Sequence, residues 1–431
     1  MVEQTERTER QNIAIRKWMD NGARGTIVMT TGVGKTRTAL MSIIRMKKHY
    51  PDGSVLVVVP TEELKNQWKR SIDEIGLGIY DNIRVEIINT VIMHKWEVSF
   101  VICDESHMFL ATTFIQVFSC VRYRYIMCLS ATMERIDGRE VILKKFCPIV
   151  DEITLDEALK NNWVSKFNTY LVLIEPDDKD EYDEIIRQFS SIFSFFDFNF
   201  KLAIACLSDW KIRTQYSRLL YTGNDPKKKS DMNKTILSNA VIFSKIMHRK
   251  NEYIHNHHKK FEVLNRILDS RKDKKIITFC PSVESANKLA LERNEFTIHS
   301  KLTKKKREKM MNSFNNSDIG VMHTSKALDA GVDIRGLNVG IILNVNSSKV
   351  TSVQRRGRVI RFSPDKVAEL FILVMKGTSE EKWFYNSNTD DKIITINESQ
   401  LDLMLEGKDY RHVYGDTFVN RQKSCKLKLK L

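Results

Sequence analysis

Apolar residues fall in short continuous runs along the first third of the chain. Strand candidates are Thr26–Met29, Ser54–Val59 (SVLVVV), Arg84–Ile88, Phe100–Cys103 and Tyr125–Leu129 (YIMCL). Apart from Arg84–Ile88 (RVEII), these runs are continuously apolar, which predicts strands buried on both faces. Between them the spacing changes to that of helices. Glu62–Ile75 places Leu64, Trp68 and Ile72 on one face, and Arg37–His49 reads as another helix. Short apolar strands interleaved with amphipathic helices predict an α/β domain with a parallel sheet over residues 1–165.

The alternation stops from about Asp177 to Lys260. DKDEYDEIIRQFSSIFSFFDFNF is helix-like and then strongly aromatic. Residues 201–260 carry thirteen Lys/Arg and four Asp/Glu. This predicts a connecting strand and a basic, mainly helical insertion over 166–260. The α/β pattern resumes near Phe261, with strands at Lys275–Phe279, Phe296–His299, Ile319–Met322, Val339–Leu343 and Leu370–Val374. A second α/β domain over 261–386 follows, then a basic tail over 387–431 that ends RQKSCKLKLKL.

One polar stretch follows the first strand: Met29–Thr36, MTTGVGKT. Strand, glycine-bearing turn, then helix is the context of a phosphate-binding loop. Gly32 and Gly34 let successive backbone N–H groups curl toward an anion. The helix that follows presents its positive end to the same anion. Lys35 supplies a charge for the β and γ phosphates, and the Thr36 hydroxyl is a candidate Mg²⁺ ligand. Thr30, Thr31, Gly32, Val33, Gly34, Lys35 and Thr36 thus form the candidate cradle. Met29 stands where the usual pattern has its first glycine, so the loop alone also fits a polar turn before an ordinary helix.

Two further stretches change that balance. Phe100–Glu105 reads FVICDE, a strand ending in two carboxylates. Asp104 would hold Mg²⁺ directly or through water, and Glu105 would orient and deprotonate an attacking water. His107 completes DESH and links to Ser130-Ala131-Thr132 after the next strand. In VQRRGRVIR (Val353–Arg361), helical spacing groups Gln354, Arg358 and Arg361. A guanidinium held near a γ-phosphate stabilises transition-state charge; in isolation the same stretch is a solvated basic face.

Charge and cysteine usage narrow the class. The formal net charge of +15 suits a polyanionic partner, or is simple solubility charge. Seven scattered cysteines without C-x-x-C spacing predict free thiols in a reducing, cytoplasmic setting. The charged start MVEQTERTERQ does not read as a signal peptide, and no apolar run approaches a bilayer span. His255, His257 and His258 suggest a metal only faintly.

In the order MTTGVGKT, PTEEL (Pro60–Leu64), DESH, SAT, TSKALDAGVDI (Thr324–Ile334) and QRRGRVIR, the chain resembles the superfamily 2 helicases of DExH type over residues 11–385. LDEALKNNWV (Leu155–Val164), IHSKLTKKKRE (Ile298–Glu308) and KGTSEEKW (Lys376–Trp383) make it most similar to the XPB helicases and the phage UvsW-type branch-migration helicases. The compact length suits a bacteriophage protein acting in the host cytoplasm. The resemblance implies two RecA-like lobes with ATP and Mg²⁺ between them. Lys35, Thr36, Asp104 and Glu105 would form the hydrolytic site on the first lobe, completed by Arg358 and Arg361 with Gln354 nearby. Gly331 and Asp333 would reach the ribose side, and Gln11 would match the adenine-reading glutamine. Thr61, Thr90, Ser300, Thr324 and Ser325 match positions that contact a nucleic-acid backbone, with Lys301 and Lys326 adding charge beside them.

The expected activity is an ATP-dependent DNA helicase or translocase, acting as a monomer on single-stranded, forked or branched DNA, with replication or recombination proteins as possible further partners. An RNA helicase, a double-strand translocase without unwinding, and a catalytically dead binding module are the alternatives. Phe193, Phe195, Phe196, Phe198 and Phe200 are candidate wedge residues, although core packing is the simpler reading for most of them.

Overall fold

A computed structural model describes residues 2–110, 114–131, 145–164, 166–325, 336–345, 367–387 and 393–411, together with Val141 and Ile334. Two sheets organise it. The first has six strands: β1 (Arg24–Met29), β2 (Val55–Val59), β3 (Ile83–Ile87), β4 (Trp96–Cys103), β5 (Val121–Ser130) and β6 (Ile149–Ile153). Their order is β3-β2-β4-β5-β1-β6, and every adjacent pair is parallel. β2 is buried at all five positions, which is why its sequence is continuous valine and leucine.

The second sheet has seven strands: β7 (Lys166–Ile174), β8 (Lys275–Phe279), β9 (Phe296–His299), β10 (Gly320–Ser325), β11 (Val339–Ile342), β12 (Val367–Met375) and β13 (Ile393–Asn397). Their order is β13-β7-β12-β11-β8-β10-β9. The central pairs β12-β11, β11-β8, β8-β10 and β10-β9 are parallel. Both sheets are thus RecA-like α/β lobes. Residues 166–174, expected as a connecting strand, form a strand of the second sheet between β13 and β12. The run KFNTYLVLI is buried from Thr169 to Ile174, so its apolar end needs sheet cover on both faces.

By compactness the chain divides into two units. One is Met1–Val172, Leu268–Ile372 and Trp383–Ile396; the other is Leu173–Ile267, Leu373–Lys382 and Asn397–Leu431. The helices of the insertion, Lys179–Ser194, Phe200–Ser208, Trp210–Leu220 and Pro226–Asn256, lie in the second unit. Phe196, Ala203, Cys206, Tyr216, Ile236, Ala240 and Phe243 form their core. Phe193 packs 5.4 Å from Phe243 and Phe195 packs 5.0 Å from Phe196, centroid to centroid. Phe198 and Phe200 are different. They are 66% and 50% exposed, and Asp197 and Phe198 both have left-handed φ, 51° and 53°.

Three helices frame the first sheet's functional edge: α1 (Val2–Asp20), α2 (Lys35–His49) and α3 (Glu62–Glu74). In α1, Gln11, Ala14, Ile15 and Trp18 are buried at helical spacing. The Trp18 indole N–H donates to the Ile126 carbonyl at 2.8 Å, anchoring α1 to β5. Arg10 and Lys17 both pair with Asp151 on β6, at 2.5 and 2.6 Å.

Candidate active site

In a parallel sheet the loops at the carboxyl ends of the strands converge on one edge, where α/β proteins bind ligands. Here β1 delivers the loop Thr30–Gly34, β4 delivers Asp104 and Glu105, and β5, which lies between them in the sheet, ends at Ser130. Residues distant in sequence therefore meet along one edge.

The loop turns through Gly32 (φ 90°) and Gly34 (φ 102°), left-handed values that favour glycine. Gly34 is the N-cap of α2 and supplies no side-chain cap, so the first N–H groups of the helix lack that partner. A Cβ on Gly34 would sit 2.6 Å from Gln11 Nε2. Met29, in the first-glycine position, is fully buried, and its Sδ lies 3.6 Å from the Thr38 hydroxyl. Its side chain points into the core beneath the loop, so a glycine is not required there.

Lys35 Nζ lies 2.9 Å from Glu105 Oε1, with both side chains largely buried. Glu105 itself has φ 51°. A left-handed backbone at a non-glycine residue costs of the order of 1–3 kcal/mol and persists only where its surroundings enforce it. Asp104 is buried behind it. Its Oδ2 accepts from the Trp68 indole N–H at 2.8 Å and its Oδ1 accepts from the Glu105 N–H at 2.9 Å. Burial, then the neighbouring Glu105 charge, pushes the Asp104 carboxyl above the usual range. His107 Nδ1 is 3.0 Å from Ser130 Oγ and 3.5 Å from Glu105 Oε2. The expected link from DESH to SAT thus runs through one imidazole.

Gln11 reaches this site from α1, its Nε2 donating to the Val33 carbonyl at 2.8 Å. Two contributors had not been singled out for the site. Trp68 was visible only as a core position of α3. Arg7 lies one turn before Gln11; its Nε donates to the Val33 carbonyl at 3.0 Å and its NH2 to the Gly32 carbonyl. The i, i+4 spacing of Arg7 and Gln11 was the available signal.

The donor set suits a triphosphate with Mg²⁺: a glycine cradle at a helix N-terminus, a lysine ammonium, a hydroxyl at Thr36 and two carboxylates. Gln354, Arg358, Arg361, Gly331, Asp333 and Lys326 lie outside the described residues. Of the expected nucleic-acid contacts, Ser300 and Lys301 are exposed just past β9, and Thr61 and Thr90 are half-buried. Thr61 also caps α3, accepting from the Leu64 N–H at 3.3 Å. Thr324 and Ser325 are buried at the carboxyl end of β10, Thr324 fully. At the histidine cluster, the Lys259 N–H donates to His257 Nδ1 at 3.3 Å, which leaves Nε2 to donate to Asp178 at 2.8 Å. His258 contacts Asp177 at 3.0 Å. Asp177, His257 and His258 offer ligand atoms within 4.8 Å of one another, and these contacts form a hydrogen-bonded root of the insertion.

Family comparisons agree with the two-lobed reading. Residues 4–95 match the family described as type III restriction enzyme, res subunit, and residues 259–363 match the helicase conserved C-terminal domain. Together with the site they support a superfamily 2 helicase that hydrolyses ATP. Among individual relatives, the DNA 3'-5' translocase XPB2 of Sulfurisphaera tokodaii is 26% identical over 384 residues, 85% of this chain and 81% of that protein. The ATP-dependent RNA helicase CHR1 of Candida albicans is 38% identical over 88 residues, 19% of this chain and 15% of that one. S. cerevisiae Dbp5 bound to RNA and ADP BeF3 shares the fold, with a TM-score of 0.57 and 15% identity over 92% of this chain and 91% of that chain.

Proposed function

We propose that this protein is an ATP-driven DNA translocase that opens or branch-migrates forked and junction DNA in replication, recombination or repair. The similarity to a DNA translocase over 384 residues carries the reading. A net charge of +15 supports it, because lysines and arginines that neutralise phosphates release counterions.

The chemistry follows from the first lobe's own groups. Lys35 and the N-terminus of α2 hold the phosphates. Thr36 and Asp104 would hold Mg²⁺, which when bound neutralises phosphate charge. Both Asp104 oxygens already accept hydrogen bonds, which favours a contact through water. Glu105 takes the proton of the attacking water once Lys35 turns from it to the phosphates. By the resemblance, Arg358 and Arg361, with Gln354, would complete the site, and Gly331 and Asp333 would serve the ribose side. Closing on ATP and opening after hydrolysis, with unequal grip on the strand, moves the protein along DNA. Exposed Ser300 and Lys301 suit phosphate contacts that ignore sequence.

An RNA helicase is the second reading, favoured by the 88-residue similarity to CHR1. ATP turnover measured with forked DNA, single-stranded DNA and RNA of equal length separates the two. Forked DNA is expected to stimulate most; stronger stimulation by RNA would overturn the DNA reading.

Within the insertion, Phe198 is the residue to split or stack a base. Its ring stands on the edge of Phe193, 5.6 Å between centroids, and a strained turn holds it toward solvent. Stacking an aromatic on a base contributes about 1–3 kcal/mol. Phe198→Ala should therefore slow fork unwinding about tenfold while DNA-stimulated ATP turnover is retained. Unwinding at the wild-type rate would remove Phe198 from this role.

A further inference from the structure

Arg7 is a half-buried guanidinium that forms no ion pair among the described residues. It faces two neutral carbonyls instead, those of Gly32 and Val33. Burial and the nearby charge of Arg37 both work against its cationic form. A cation held against its preference, on the loop that receives the phosphates, calls for a reason.

The peptide geometry supplies one. A trans peptide is planar, with its C=O and N–H on opposite sides. Fixing the Val33 carbonyl outward therefore fixes the Gly34 N–H inward. Fixing the Gly32 carbonyl likewise fixes the Val33 N–H, which donates within the loop to the Thr30 carbonyl at 3.4 Å. Glycines flank both peptides, so a flip costs the backbone little. A flipped peptide would present a carbonyl dipole to the phosphates where a donor is needed. Arg7 and Gln11 oppose that flip from behind the loop. A Cβ on Gly34 would meet Gln11 Nε2 at 2.6 Å and an Arg7 nitrogen at 3.4 Å, so the two side chains press directly on the outer face of the turn.

We propose that Arg7 is a positioning residue that braces the Gly32–Gly34 peptides from α1, so that the loop keeps its turn and the Gly34 N–H is aimed at the phosphates before the nucleotide binds. The inference rests on the assignment of this loop to ATP. It implies that Arg7 acts through the phosphates and is blind to the base.

The test is fluorescence titration of the full chain with mant-ATP and mant-GTP. Arg7→Met, which keeps the length and removes the donors, is expected to weaken both nucleotides by the same factor, about tenfold for the loss of charged hydrogen bonds. Arg7→Lys, which keeps the charge but donates to one carbonyl at a time, should recover part of it. Binding of both nucleotides by Arg7→Met within twofold of the wild type, or loss confined to mant-ATP, would overturn the proposal; the second result would make Arg7 a reader of adenine. Should Arg7→Met melt well below the wild type, Arg7→Lys decides alone: wild-type affinity in that variant overturns the brace. Failure of the wild type itself to bind mant-ATP would instead remove the nucleotide assignment beneath it.

Discussion

Lys35→Ala should lower ATP turnover by about three orders of magnitude, the scale for removing a preorganised charge from a developing phosphoryl transition state. The variant loses its charge at the head of α2 and also the 2.9 Å partner of Glu105. A carboxylate that is mostly buried then has no ammonium beside it, so the site becomes more negative where phosphates must enter. Nucleotide affinity should fall with turnover, whereas DNA binding, assigned to other residues, should be retained. Phosphate release with saturating DNA and a DNA-binding titration check both halves. Wild-type turnover would end the assignment of the loop.

Glu105→Gln should separate binding from chemistry. Glutamine keeps the shape and tolerates the same left-handed backbone to a similar degree, but it cannot accept the proton of the attacking water. Turnover should fall by about 10³-fold, within the range for removing a general base and the charge it supplies. Affinity for ATP should hold or tighten. In the wild type, Glu105 competes with the phosphates for Lys35, and the neutral amide competes less well. Equilibrium binding of mant-ATP beside single-turnover hydrolysis reads the two effects apart. A variant that hydrolyses ATP normally would move the base elsewhere, and one that loses ATP binding in step with turnover would make Glu105 a binding residue.

Together the two variants define the resting site as a locked one. The pair that would act on ATP is paired with itself, and His107 and Ser130 continue the contact toward the end of β5. Binding must exchange an ion pair for phosphate contacts, so a triphosphate with more charge to offer competes best for Lys35.

The chain pattern alone carried the fold class. Continuous apolar strands such as SVLVVV can be satisfied only by burial on both faces, and the amphipathic helices between them provide it. The motifs also singled out Lys35, Asp104 and Glu105, which the fold brings together, because phosphate chemistry demands a lysine after a glycine turn and carboxylates at a strand end. Three things were beyond the reach of one-dimensional pattern. The role of Met29 needed the direction of its side chain: beneath the loop, where a glycine is unnecessary. β7 needed its neighbours: KFNTYLVLI reads as a connecting strand, and only the sheet places it between β13 and β12. Thr324 needed its depth, since a hydroxyl residue after an apolar run reads as exposed until packing on the face of the sheet buries it. The largest gap was α1. Its first two turns are too charged to show a helix face in the sequence, yet Gln11, Ala14, Ile15 and Trp18 bury one. That burial brings Arg7 and Gln11 behind the phosphate loop from more than twenty residues away. Local pattern determines which residues are able to bind a phosphate. Which way the loop's peptides face is decided by side chains from another element, because a glycine turn has no preference of its own.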